Sequence, residues 1–235
     1  MPTLVALLVG MAFVVGVLWQ KVNNLEKSGP TTAAVAGVAG EAVPNPQPTV
    51  AVNIADVDTS GEPFIGKEDA PVTLAYWFDY QCPFCKQFEV DVLPDLIDKY
   101  VNSGKLKIVF KDYQFLGEDS QNVGLAAHAV WEASPENFLK WQEAIFGKQD
   151  AENSGWGSVE DIIALTALVD GVDADKVASL MESKKAEYQK EQDDDKAEGT
   201  AMGITGTPGF IVGTQNISGA QPLSTFAAAI DALLK

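Results

Sequence analysis

FDYQCPFCKQFE, residues 78–89, holds both cysteines of this 235-residue chain, separated by two residues. The run leading into it, VTLAYWFDY at 72–80, is apolar on both faces of a strand and is expected to be a central one. Pro83 sits where a helix begins, because its missing N–H is harmless at the first helical position. The spacing predicts a helix from about Pro83 to Tyr100, kinked at Pro94, where a backbone bond is lost. The sulfurs therefore lie at a strand-to-helix junction, where a helix N-terminus supplies positive potential and free N–H donors. A thiolate is the nucleophile in thiol–disulfide exchange, so Cys82 is the candidate attacking sulfur. Cys85, one turn deeper, is the candidate resolving sulfur.

Other uses of two close cysteines are weaker. A structural disulfide across so small a loop adds little stability. A zinc site needs four ligands, and the one further soft ligand is the lone His128, which reads as an ordinary packed or surface histidine in the helical run LAAHAVW. GITGTPG at 203–209 lacks the Lys-Ser/Thr ending of a phosphate loop and precedes a strand. DDDK at 193–196 fails the calcium-loop pattern and reads as a solvated helical face.

Further from the cysteines, VAVNIADVD at 50–58 is expected as an edge strand, and LKIVFKDY at 106–113 alternates well enough to be a second strand. A helical pattern fills about 118–200, with Ser134, Ser158 and Asp173 as N-caps and Asp161 completing an approximate capping box with Ser158. GFIVG and TQNIS read as a strand pair, and PLSTFAAAIDALL as a last helix. The order is strand, helix, strand, helical block, two strands, helix. A strand feeding CxxC at a helix start marks an α/β redox fold in which a helix crosses between parallel strands.

The N-terminus speaks to location. PTLVALLVGMAFVVGVLW at 2–19 is apolar apart from Thr3 and reaches roughly 27 Å as a helix, near a bilayer's hydrocarbon thickness. Residues 1–21 are expected to be an uncleaved membrane anchor, 22–49 a small-residue and proline-rich flexible linker, and 50–235 the globular domain. Lys21 and Lys27 follow the span, which by charge alone would place that end in the cytoplasm. The redox chemistry argues for an extracytoplasmic domain. The net charge of −17 disfavours nucleic acid, whose phosphates need clustered cations.

CPFC, the helical block and GTPGFIVG some 120 residues later together resemble the DsbA-like branch of the thioredoxin superfamily, exported thiol–disulfide oxidoreductases. The resemblance covers residues from about 50 to the C-terminus. It implies a thioredoxin-like α/β fold with the helical segment inserted between its halves. It also implies that Thr207 and Pro208 form a cis-proline loop that packs against the sulfurs and offers backbone groups to an extended client, with Pro83 and Phe84 beside it. No bound cofactor is required. Clients would be reduced exported proteins, and a membrane quinone-linked protein would restore the disulfide.

Two residues depart from the family pattern. Phe84 stands where strongly oxidising members carry His, so Cys82 must rely on helix-end donors. Tyr76 stands six residues before Cys82, where many thioredoxin-like proteins place a buried acid. Asp79, at an odd offset, faces the other side of the strand. Unless water or a carboxylate of the helical block reaches Cys85, resolution through it is therefore expected to be slow near neutral pH. The overall expectation is a membrane-tethered thiol–disulfide oxidoreductase that introduces disulfides through a mixed disulfide at Cys82. The alternatives are a reductase or isomerase using the same site, and a non-catalytic client-binding module.

Overall fold

The computed structural model describes residues 51–235. The expected anchor at 1–21 and linker at 22–49 lie outside the described residues. Among the described residues, no helix is long and apolar enough to cross a membrane.

A five-stranded mixed sheet runs in the order β1-β3-β2-β4-β5. Its strands are β1 (Phe64–Ile65), β2 (Val72–Phe78), β3 (Leu106–Asp112), β4 (Gly209–Val212) and β5 (Gln215–Ser218). β2 and β3 are parallel, with Val72 opposite Leu106 and Phe78 opposite Asp112, and the other pairs are antiparallel. Helices α1 (Pro83–Asp91) and α2 (Leu93–Leu96) cross between the parallel strands, as the spacing predicts. The expected kink is a complete break at Val92 (φ −124°, ψ −44°), two residues before Pro94, after which the chain continues through α2 into a wider turn at Ile97–Val101. The helical block is α3 (Glu118–Ala133), α4 (Phe138–Lys148), α5 (Val159–Thr166), α6 (Ala174–Ser183) and α7 (Lys185–Ala201), and α8 (Leu223–Leu233) closes the chain.

β2 is central in both senses. Val72, Leu74, Tyr76, Phe78 and Tyr80 point into the main core with Phe88 and Phe226, whereas Ala75 and Trp77 enter a smaller core with Val52, Val57, Tyr113 and Ile211. Burial on both faces is why the strand reads as an unbroken apolar run. Trp77 donates its indole N–H to the Asp195 carbonyl at 3.0 Å, and α7 approaches so closely that a Cβ on Gly199 would stand 2.7 Å from that nitrogen.

Three expectations are corrected. The segment 50–58 is not an edge strand: its described part forms a short 3₁₀ turn at Ile54–Asp56, because the Asn53 side chain caps the Ala55 N–H, and the edge position belongs to Phe64–Ile65. Ser134 precedes a 3₁₀ turn, but its hydroxyl donates to the Gly171 carbonyl and the Glu136 carboxylate rather than capping an N–H; Ser158 and Asp173 do cap. The DDDK run is not wholly solvated. Asp195 is buried, held by Lys111 of β3, whose ammonium also meets Glu62, Glu198 and the Asp58 carbonyl. Buried Lys111 needs these partners to stay charged, and they tie α7 to the sheet.

Candidate active site

The end of β2 delivers Cys82 to the N-cap of α1 in an extended conformation (φ −72°, ψ 120°), with Pro83 at the first helical position. Its N–H bonds to the Asp79 carbonyl at 3.1 Å, and its own carbonyl accepts the Cys85 and Lys86 N–H groups. Asp79, fully buried, turns its carboxylate away from the sulfurs, as the strand alternation predicts. It accepts the Gln81, Phe115 and Leu116 N–H groups at 2.8–3.1 Å and the Ser120 hydroxyl, pinning the turn to the loop after β3.

The two sulfurs differ. Both are free thiols, and Cys82 is 5% exposed while Cys85 is wholly buried. The Cys85 thiol beside it, the Thr207 side chain and the Cys85 and Phe84 N–H groups stabilise a Cys82 thiolate. These outweigh its burial and bring it down to about 6. Burial drives Cys85 well above the ordinary thiol range, and the neighbouring Cys82 adds to the rise. One sulfur is thus a thiolate at neutral pH and the other a thiol.

Thr207 and Pro208 close the site from the far end of the chain. The bond between them is cis, and the Cys82 sulfur lies 3.4 Å from the Thr207 carbonyl, to which it donates when protonated. Pro208 is buried, whereas Phe84 is 59% exposed on the first turn of α1. All six residues singled out in the sequence, Cys82, Pro83, Phe84, Cys85, Thr207 and Pro208, are therefore brought to one end of α1.

Two contributors were not anticipated. Gln149, after α4, donates to the Tyr80 and Cys82 carbonyls at 2.7 and 3.0 Å. Lys86 bonds the Gln149 carbonyl, and Gln81 accepts the Asn153 N–H. The second is Glu89 of α1, buried against Gln142 of α4, whose amide donates to it at 2.9 Å. Its position four residues after Cys85 was the available signal, since residues so spaced share a helical face. His128 is packed, as expected, but as an ion: it is bracketed by Asp112 at 2.5 Å and Glu191 at 3.0 Å and stacked on Tyr188. It does not contribute to the site.

A family model described as Thioredoxin matches residues 58–232. The chain belongs to this thioredoxin family. Disulfide bond formation protein D of Bacillus subtilis is 32% identical over 139 residues, a match covering 55% of this chain and 63% of that protein, so the chain spans less than two thirds of this relative. The probable disulfide bond formation protein D of Bacillus anthracis is 27% identical over 149 residues, covering 63% of this chain and 68% of that one. Among solved structures, oxidised BdbD from Bacillus subtilis superposes with a TM-score of 0.71 at 25% identity, over 79% of this chain and 98% of that one. α-DsbA2 from Wolbachia pipientis, a thiol–disulfide exchange protein, shares the fold with a TM-score of 0.63 at 23% identity, covering 73% and 87%. The resemblance to the DsbA-like branch of the thioredoxin superfamily is borne out, helical insertion included.

Proposed function

We propose that this thioredoxin-family chain is a membrane-tethered protein-disulfide oxidoreductase that donates the Cys82–Cys85 disulfide to reduced exported proteins through a mixed disulfide at Cys82. The observation that carries this is the asymmetry of the two sulfurs. A thiolate stabilised at Cys82 stabilises the reduced protein, which makes the disulfide the better electron acceptor. It also makes Cys82 a good leaving group when a client's second thiol completes the transfer. The names of the Bacillus relatives support the same direction. The exposed Phe84 and the Thr207–Pro208 loop are read as the client-binding surface beside Cys82. Residues 1–21 hold the domain at a membrane on its extracytoplasmic side, and a membrane quinone-linked protein restores the disulfide.

The test is the reduction potential of the pair in glutathione buffers, with trapping in cells. A potential near those of strong oxidants, with Cys85→Ala accumulating mixed disulfides through Cys82 and Cys82→Ala accumulating none, is expected. A potential as low as that of cytosolic reductants makes the protein a reductase, and trapping through Cys85 reverses the assignment.

A further inference from the structure

The Thr207 carbonyl stands against the Cys82 sulfur, yet little holds the loop that carries it. Among the described residues, Thr205, Gly206 and Thr207 form no main-chain hydrogen bond with another main-chain group. The stretch is slung between two posts. After it, the Pro208 carbonyl accepts the Gly219 N–H at 2.8 Å. Before it stands Ile204, whose N–H closes the end of α7 on the Gly199 carbonyl at 2.8 Å and whose side chain is buried in the smaller core with Trp77, Tyr113 and Ile211. A Cβ on Gly209 would lie 2.7 Å from an Ile204 methyl group, so β4 itself starts against this post.

The Ile204 carbonyl lies past the last turn of α7 and finds no partner in the helix. Its partner is the phenol of Tyr113, which donates to it at 3.2 Å and lies 3.1 Å from the Thr200 hydroxyl. Tyr113 is buried, with Phe115 edge-on to its ring and the Lys196 ammonium 5.9 Å from the ring centre. The backbone of the same residue belongs to the cysteine turn. Its N–H bonds the Phe78 carbonyl at 3.0 Å, and the Phe115 and Leu116 N–H groups beyond it donate to the Asp79 carboxylate. The Asp79 carbonyl in turn accepts the Cys82 N–H. One residue thus joins the segment that fixes Cys82 to the post that fixes Thr207, two halves of the site that lie 125 residues apart in the chain.

We propose that Tyr113 is a positioning residue for the exchange reaction: through the Ile204 carbonyl, its hydroxyl sets the Thr207 loop at its distance from the Cys82 sulfur. The role rests on Cys82 being the sulfur that exchanges with clients, and it holds whichever way electrons flow. The loop matters to that sulfur through Thr207. The Cys85 thiol does most to lower Cys82, burial opposes it, and the Thr207 side chain is the next stabilising contact. The Thr207 hydroxyl is buried without a closed hydrogen bond, so what it gives the thiolate depends on where the loop holds it. Removing the Tyr113 hydroxyl leaves a buried carbonyl unpaired, which the chain relieves by moving the post. Thr207 then leaves its place beside Cys82, the thiolate is less stabilised, and the disulfide becomes the poorer electron acceptor.

The test follows Cys82 in the reduced full chain in detergent, by thiolate absorbance and by alkylation with iodoacetamide, and follows the pair in glutathione buffers. Tyr113→Phe keeps the ring and removes the hydroxyl. It is expected to raise Cys82 from about 6 to about 6.5 or above, to slow alkylation at about pH 5 about 3-fold, and to move the glutathione equilibrium about 3-fold towards the disulfide. Thr200→Val removes the other hydroxyl beside the phenol, keeps the Ile204 bond and is expected to leave Cys82 unmoved. A Tyr113→Phe protein that loses stability but keeps the wild-type titration and potential gives Tyr113 a structural role only and overturns the proposal. An equal rise in Thr200→Val also overturns it, because the effect then runs through α7. Should Tyr113→Phe not fold, a glycine inserted between Thr205 and Gly206 frees the loop from its post and is expected to give the same rise. An unmoved Cys82 in that protein overturns the proposal as well. Failure of the wild type to oxidise a reduced two-cysteine peptide, with the Cys82 titration still dependent on Tyr113, removes the disulfide-donating reading and leaves the positioning role standing.

Discussion

At the scale of single residues, the site is a contest between burial and donors at one sulfur. Cys82 descends to about 6 through the thiol and N–H groups of its own turn, with Thr207. Phe84, half-exposed on that turn, contributes no charge and only its backbone N–H. Phe84→His is therefore expected to bring Cys82 below about 6 and to make the pair more oxidising, read by thiolate absorbance and a glutathione titration. An unchanged or more reducing potential refutes this. What was legible here is the meeting of the two sulfurs, which the motif itself contains, with the Thr207-Pro208 loop, which the resemblance implied. Glu89 was missed because its only mark in the sequence is the four-residue offset from Cys85. Its burial becomes visible only once the face of α1 carrying Cys85 and Phe88 is known to be buried. Gln149 could not have been found at all, since an amide after a helix carries no sequence mark of what it will donate to.

At the scale of elements, the order of strands and helices was readable because β2 is apolar on both sides, β3 alternates and the 118–200 block keeps a helical period. The misreadings share a cause. Short polar side chains of Asn53 and Ser134 bonded locally or to distant carbonyls, and Asp195 in an acidic run found a buried lysine on a strand more than eighty residues earlier. Tertiary partners decide such cases, and they are absent from any local pattern. The contact of α7 with β2 gives a sharp test. Gly199→Ala sets a methyl against the buried Trp77 indole, which has no room to move, so a loss of about 1–3 kcal/mol is expected from the urea midpoint at unchanged slope. A neutral substitution shows that α7 can shift away from the sheet.

At the scale of the whole molecule, buried charge predicts how stability depends on pH. His128 is pulled down by burial, but Asp112 and Glu191 outweigh this and hold it up to about 10, against about 6.5 unfolded. A raised pKa of this kind gives stability that is complete below about 6.5 and is lost as pH climbs through about 10. Glu89 and Asp195, both raised chiefly by burial, act in the same sense from lower pH, and the net charge of −17 adds repulsion as pH rises. The fold is thus expected to be most stable on the acid side of neutrality and to lose on the order of a few kcal/mol towards pH 10. His128→Gln should flatten the segment above about 6.5 and leave the lower one intact, measured by urea midpoints across pH. A wild-type midpoint constant between those limits contradicts this account.

The clamp on the active-site turn also orders events in time. Two of the groups that hold the turn and tune Cys82 come late, 67 residues further on in Gln149 and 125 further on in Thr207. A chain made from its N-terminus exposes both sulfurs long before either arrives. Until then Cys82 has only the groups of its own turn to stabilise a thiolate, and it is the less reactive for lacking Thr207. Reactivity therefore matures last, when the Thr207-Pro208 loop folds back onto the first turn of α1, and an unfinished molecule is a poor partner for its neighbours' cysteines.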